Sequence, residues 1–253
     1  MQNGCLKVVQ LTDTHIFADS TRRIGGLNPR ESFLATLEKA SVAIRGCDFV
    51  LVTGDLAAEG EGLAYRWLVE TLASFETPIY CLPGNHDIGT VMAPIVSASG
   101  WTYGGSHVIG GWNFVLLDSC VVDAEYGCLG EAELDRLATS LSRQPNLPTL
   151  ICLHHHPVPM GSAWMDTMLL TDSANFWSVV KQNPQVSGVL WGHVHQNFDT
   201  FKHGVRLLAS PSTCVQFAAR SPSFALDPLG PGFRFLRLFA DGHIDTEIKR
   251  VEP

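Results

Sequence analysis

Short continuous apolar runs and amphipathic stretches take turns along this chain. CLKVVQLTD (5–13) reads as a buried strand. CDFVLVTG (47–54), PIYCLPG (78–84), WNFVLLDS (112–119, after a glycine-rich hairpin region), TLICLHH (149–155) and VSGVLWGH (186–193) repeat that signature. Between them the period lengthens to that of a helix. Asn28-Pro29 with Glu31 marks a helix start, and Phe33, Leu37, Ala40 and Ile44 follow on one face. Residues 62–75 predict a second helix, GEAELDRLATSLSR (130–143) a third with Leu134, Leu137, Ala138 and Leu141 aligned, and 173–182 a short fourth. The tail changes character: VRLLASPS (205–212) and residues 233–251 read as antiparallel strands, the last pair joined by a turn at Asp241-Gly242. Alternating units with a β-rich end predict an α/β fold, a layered α/β sandwich with mixed sheets. No fixed-period repeat and no low-complexity linker interrupts it, so residues 1–253 are expected to form a single domain.

Composition narrows the partners. Of 253 residues 45% are apolar, enough for one large core, and the net charge is −8. Such a chain lacks the broad cationic surface that nucleic acid or an anionic bilayer requires, so a small-molecule partner is expected, with no nucleic acid and no membrane. The seven cysteines are scattered singly, several within apolar runs, and no C-x-x-C pair occurs. That usage predicts reduced thiols and a cytoplasmic location. The opening MQNGCLKVVQLTD has no basic region followed by an apolar stretch and a small-residue cleavage site, and no segment approaches roughly 18 uninterrupted apolar residues.

Chemistry enters where the strands end. VVQLTDTH delivers Asp13 and His15, VLVTGD delivers Asp55, and IYCLPGNHD delivers Asn85, His86 and Asp87. LICLHHH delivers His154, His155 and His156, and GVLWGHVH delivers His193 and His195. Any one of these has an ordinary explanation as a turn, a cap or a buried histidine. Five together, each at the end of an apolar run, would leave many buried polar groups unpaired unless they served one purpose. The carboxyl ends of parallel strands gather along one edge of an α/β sheet, so residues far apart in sequence can converge there. Asp13 and His15 are two apart, which on an extended strand end turns both side chains to the same side; His193 and His195 repeat the spacing, and each pair is expected to grip an ion.

Mixed oxygen and imidazole donors without thiolate suit Fe, Mn or Zn better than calcium. Seven such donors exceed one tetrahedral site and suit two ions about 3.5–4 Å apart that share a carboxylate, an arrangement that hydrolyses phosphoesters.

The series DTH, GDL, GNHD, HHHP and GHVH, spanning residues 13 to 195, resembles the signature of calcineurin-like metallophosphoesterases. The resemblance implies two mixed β-sheets flanked by helices, with a dinuclear centre at the strand ends. It implies that Asp13, His15 and His195 hold the first metal, Asn85, His154 and His193 the second, and that Asp55 bridges them. His86 would be the general acid, and His15, Asp55, Asn85, His86 and His195 would touch the phosphate. Asp87 would orient His86 or cap the next helix, while His155 and His156 would orient neighbours or fill space.

The stretches LTDTHIFAD, GDLAAEG, LPGNHD, LHHHPVPMGSAWMD, SPSTCVQF and DPLGPGFR are similar to those of the bacterial class III cyclic nucleotide phosphodiesterases. That similarity implies hydrolysis of 3′,5′-cyclic AMP to 5′-AMP by a monomer or homodimer. Trp164, Met165, Phe217 and the SPSTC loop are expected as pocket walls. Two competing readings differ in their sequence consequences. A 2′,3′-cyclic nucleotide phosphodiesterase, phosphatase or nucleotide-sugar pyrophosphatase would share every donor and differ in pocket shape. A metal-bearing scaffold protein would have lost donors or His86, and none is lost.

Overall fold

A computed structural model describes residues 4–252; the first three residues and the last of the domain expected over 1–253 lie outside them. The first sheet contains β1 (Leu6–Leu11), β2 (Phe49–Thr53), β3 (Ile79–Leu82) and β4 (Thr102–Tyr103), with α1 (Pro29–Arg45), α2 (Gly62–Leu72) and α3 (Gly89–Ala98) as its connections. The second contains β5 (Gly105–Ile109), β6 (Trp112–Leu116), β7 (Thr149–Cys152), β8 (Val186–Trp191), β9 (Phe198–Lys202) and β10 (Val205–Ala209), with α4 (Gly130–Arg143) and α5 (Ser173–Lys181) on its outer face. A small hairpin, β11 (Gln216–Phe217) with β12 (Leu226–Asp227), follows. The chain then returns to the first sheet as β13 (Gly232–Leu238) and β14 (Ile244–Arg250).

Strand order is β14-β13-β1-β2-β3-β4 in one sheet and β5-β6-β7-β8-β10-β9 in the other. β1, β2 and β3 run parallel, as do β6, β7 and β8, so the motif-bearing ends of both sheets point the same way along the sandwich. The two mixed sheets and their flanking helices are the layered architecture expected. One expectation needs correction: residues 205–209 form β10, which runs parallel to β8 and antiparallel to β9, in the opposite sheet from β13.

Period-two alternation sets what each strand residue faces. Val8, Phe49, Leu51, Leu82, Leu150, Cys152 and Leu190 pack between the sheets, whereas Val9, Val50, Val52 and Cys81 pack under the first sheet's helices and Ile151, Val189 and Trp191 under the second's. Strands buried on both faces are why these segments read as unbroken apolar runs. Gln10 shares the inward parity of Val8 and is fully buried between the sheets. Its amide donates to Thr53 Oγ1 (2.8 Å) on β2 and to the Trp191 carbonyl (3.2 Å) on β8, and its Oε1 accepts from Ser210 Oγ. Arg234, also buried, donates to Ser210 Oγ (3.0 Å) and to the Asn197 side chain (3.0 Å). This polar chain ties the sheets together beside the residues that open the Gly54-Asp55 and Gly192-His193 turns.

Candidate metal centre

The structure brings the expected donors together from both sheets. Ligand atoms of Asp13, His15 and His195 lie within 4.8 Å of one another, as do those of Asp55, His154 and His193, and those of His15, Asp55 and His86. Asp55 stands between the first two groups, its Oδ2 3.6 Å from His15 Nε2 and 3.2 Å from His154 Nε2. Asn85 lines the same cavity as Asp55 and His193.

The local backbone differs from the extended ends expected. β1 stops at Leu11 and β8 at Trp191, and Asp13 (φ 54°), His15 (φ 46°), His193 (φ 64°) and His195 (φ 49°) all lie in the left-handed region, as does Asp55 (φ 53°). The alternation therefore comes from tight turns instead of a pleat. It also separates one expected pair: Asp13 and His15 share a donor group, but His193 joins Asp55 and His154 while His195 joins Asp13 and His15. Of nine non-glycine residues at positive φ among those described, five are these candidate donors, each at a cost of about 1–3 kcal/mol. Backbone hydrogen bonds hold the turns: Asp13 N–H donates to the Gly54 carbonyl (3.0 Å) and His15 N–H to that of Asp55 (2.9 Å). His193 N–H donates to Asp13 Oδ1 (2.9 Å), and His86 N–H to Asp55 Oδ1 (2.9 Å).

Two motif glycines are explained by crowding. A Cβ on Gly84 would lie 2.2 Å from Asp55 Oδ1, and one on Gly192 2.1 Å from Thr12 Oγ1 and 2.7 Å from Asp13 Oδ2. Strand parity also separates the three consecutive histidines. His154 continues the inward face of Leu150 and Cys152, whereas His155 follows Leu153 away from it, where its Nδ1 lies 2.8 Å from Ser119 Oγ. His156 stacks on His193 (5.6 Å, 19°).

Tautomers follow from the carbonyls. His154 Nδ1 lies 2.9 Å from the Thr53 carbonyl, His195 Nδ1 2.8 Å from that of Val215, and His86 Nδ1 2.9 Å from that of Ala58. Each Nδ1 must therefore be the donor, which leaves Nε2 for the site. Buried atoms without a hydrogen-bond partner include Asn85 Oδ1, His154 Nε2 and His193 Nε2. Burial pushes the Asp13 and Asp55 carboxyls up, but His195 beside Asp13 and His154 beside Asp55 outweigh it and hold both below the ordinary range. Burial lowers His154 too, yet Asp55 and Asp13 raise it to about 9, whereas burial holds His15 down at about 3 and His193 well below its usual value. Ionised carboxylates, the neutral imidazoles of His15 and His193, a proton held on His154 by two carboxylates where a cation would take its place, and orphaned lone pairs facing one another are what two cations need, so the donor set fits a dinuclear centre.

His86 faces the open side, its ring 4.9 Å from that of His15. Its pKa is raised, chiefly by Asp55 against the opposing effect of burial. Asp87 makes no hydrogen bond to that ring, whose Nδ1 goes to Ala58, and does not cap α3, whose N-cap is Ile88 without a side-chain bond. It accepts from the N–H groups of Leu56 (3.1 Å), Ala57 (2.9 Å) and Gly84 (2.9 Å) and from the Tyr65 hydroxyl (3.0 Å), stapling the turn after β2 to that after β3. The SPSTC loop is not a pocket wall either. Ser212 Oγ donates to the Asp13 carbonyl (2.7 Å) and Thr213 N–H to that of Thr12 (3.1 Å), so the loop supports the first donor turn from behind. Trp164, Met165 and Phe217 do line the cavity of about 650 Å³ above the donors, joined by Phe224, which sequence reasoning missed.

Residues 6–197 match the family model described as calcineurin-like phosphoesterase. Over 246 residues the chain is 42% identical to a 3′,5′-cyclic-nucleotide phosphodiesterase of Nostoc sp., covering 97% of this chain and 92% of that protein. Over 247 residues it is 39% identical to the 3′,5′-cyclic adenosine monophosphate phosphodiesterase CpdA of Escherichia coli K12, covering 97% and 90%. A dimetal phosphatase from Danio rerio superposes with a TM-score of 0.72 at 16% identity over 98% of each chain, a likeness of fold.

Proposed function

The chain belongs to the calcineurin-like phosphoesterase family, and from that premise we propose that it is a metal-dependent phosphodiesterase that hydrolyses 3′,5′-cyclic AMP to 5′-AMP. The observation that carries this reading is the pair of buried donor groups meeting at Asp55 beneath an open cavity of about 650 Å³, a volume suited to a mononucleotide. Asp13, His15 and His195 would hold one ion, Asn85, His154 and His193 the other, and Asp55 both, with Fe, Mn or Zn matching the donors. When bound, such a pair offsets the charge on phosphate and lowers the pKa of a water.

The remaining work falls to the chain's own groups. Hydrolysis adds water across the 3′ P–O bond, and the departing 3′ oxygen needs a proton. His86 is placed to give it from Nε2, because Ala58 fixes its Nδ1–H and Asp55 favours its protonated form. His15, Asp55, Asn85 and His195 border the same cavity and would meet the phosphate there. The substrate is thus a small molecule. Unpaired cysteines support a cytoplasmic setting; all seven are free, and no helix among the described residues is long and apolar enough to cross a membrane. We take residues 1–253 as one domain, since the inter-sheet core draws on Val8 near one end and Ile244 near the other.

The test is an activity panel on purified, metal-loaded protein with 3′,5′-cyclic AMP, cyclic GMP, 2′,3′-cyclic AMP, a phosphomonoester and a UDP-sugar. The reading predicts highest kcat/KM on 3′,5′-cyclic AMP with 5′-AMP as sole product. Preference for the monoester or the UDP-sugar would overturn it.

A further inference from the structure

We infer that the β11–β12 hairpin, through Phe217 and Phe224 together with Trp164, is the wall on which the nucleobase of the cyclic nucleotide stacks; this rests on the phosphodiesterase reading and extends it to base recognition. The cavity has two unlike ends. Its floor is polar, formed by candidate donors and His86, and the wall that rises from that floor beside His195 is aromatic. In a 3′,5′-cyclic nucleotide the phosphate is fused to the sugar and the base projects from the far side. A phosphate on the floor therefore sends the base toward that wall.

The wall is built for such contact. Trp164 meets Phe217 (5.2 Å, 81°) and Phe224 (5.3 Å, 77°) edge to face, and Phe217 meets Phe224 in the same way (5.5 Å, 67°). Phe224 is nonetheless 60% exposed, an apolar ring left at the mouth of a polar site. The hairpin is held in place: Ala218 N–H donates to the Ala225 carbonyl (2.9 Å), Ser221 N–H to Ser162 Oγ (3.2 Å), and Arg250 Nη1 to Gln216 Oε1 (3.0 Å). A preformed aromatic surface takes a base without the entropy of ordering a loop.

The same hairpin reaches the floor. Val215, just before β11, accepts His195 Nδ1–H, and Phe217 lies flat on the His195 ring (4.1 Å, 7°). Replacing Phe217 would disturb a candidate metal donor along with the wall. Phe224 touches the wall alone and is the residue to change.

The test compares kcat/KM of metal-loaded protein on 3′,5′-cyclic AMP and on methyl riboside 3′,5′-cyclic phosphate, which lacks the base. The unaltered protein should prefer cyclic AMP. Phe224→Ala should reduce that preference roughly 5- to 30-fold, through KM for cyclic AMP, within the range that stacking one base on one aromatic ring is worth. Trp164→Leu should move it in the same direction. A preference in Phe224→Ala within about twofold of the unaltered protein overturns the base wall, as does an unaltered protein that treats both substrates alike. Turnover of neither substrate removes the phosphodiesterase reading as well.

Discussion

The two ends of the cavity are built on opposite physical terms. At the floor, seven candidate donors come from five turns, six of them are buried, and five sit in left-handed backbone that neighbouring strands and carbonyls hold in place. At the wall, two aromatic rings of a two-stranded hairpin meet Trp164 from the segment between β7 and α5, and one ring is mostly exposed. The floor tolerates almost no displacement, because its glycines are in contact with its donors. The wall can change its Phe224 ring, which lies between β11 and β12, without moving a strand. The family match ends at residue 197, after the last donor and before the hairpin that begins at Gln216. Trp164 lies within the matched residues, so the wall draws on both sides of that boundary, and it meets the floor where Phe217 covers His195.

The comparison can be broken hardest at Gly84. A methyl group there would collide with Asp55, so Gly84→Ala should strip metal and reduce hydrolysis of every substrate to background, with the fold retained by circular dichroism. Full activity in this variant would contradict the account of the floor. His86→Ala is sharper: it should keep both metals, yet lose roughly 10²–10⁴-fold in kcat/KM on cyclic AMP. A nitrophenyl phosphodiester, whose leaving group needs little protonation, should lose much less. Equal losses on the two substrates would assign His86 to positioning instead of proton donation. Gln10→Leu probes support from behind, since Gln10 bonds Thr53 and Trp191. Because Gln10 bonds no donor directly, the change should lower activity or metal affinity by less than the roughly 10–100-fold that follows loss of a direct outer partner of a metal donor, while the preference for cyclic AMP over its base-free analogue stays put. Arg237→Ala sets the lower limit. It removes an exposed ion pair to Asp245 far from the cavity, and neither melting temperature nor kcat/KM should change measurably.

What the sequence disclosed follows the same division. β1, β2, β3, β6, β7 and β8 were legible because they are buried on both faces and so carry unbroken apolar runs. β9 was not, since FDTFK is a mostly exposed edge strand with Phe201 facing solvent, and α3 hides behind an internal Pro94. The donors were legible as polar residues ending apolar strands. Their left-handed turns were not, because nothing in D-T-H or H-V-H marks positive φ in residues other than glycine. Asp87 and the SPSTC loop show a further limit. Both bond backbone groups that the sequence cannot bring together, so their roles emerge only when the turns meet. Phe224 carried no signal, being one phenylalanine in a polar loop.

The central claim is that the two donor groups meeting at Asp55 hold two ions together. The most direct measurement is metal content per chain against activity, by elemental analysis of metal-free protein reloaded in steps, for the unaltered protein, Asp55→Ala and His195→Ala. The account predicts that full activity coincides with two ions per chain, that Asp55→Ala loses occupancy at both positions, and that His195→Ala loosens mainly one. Full activity with a single ion per chain would contradict it.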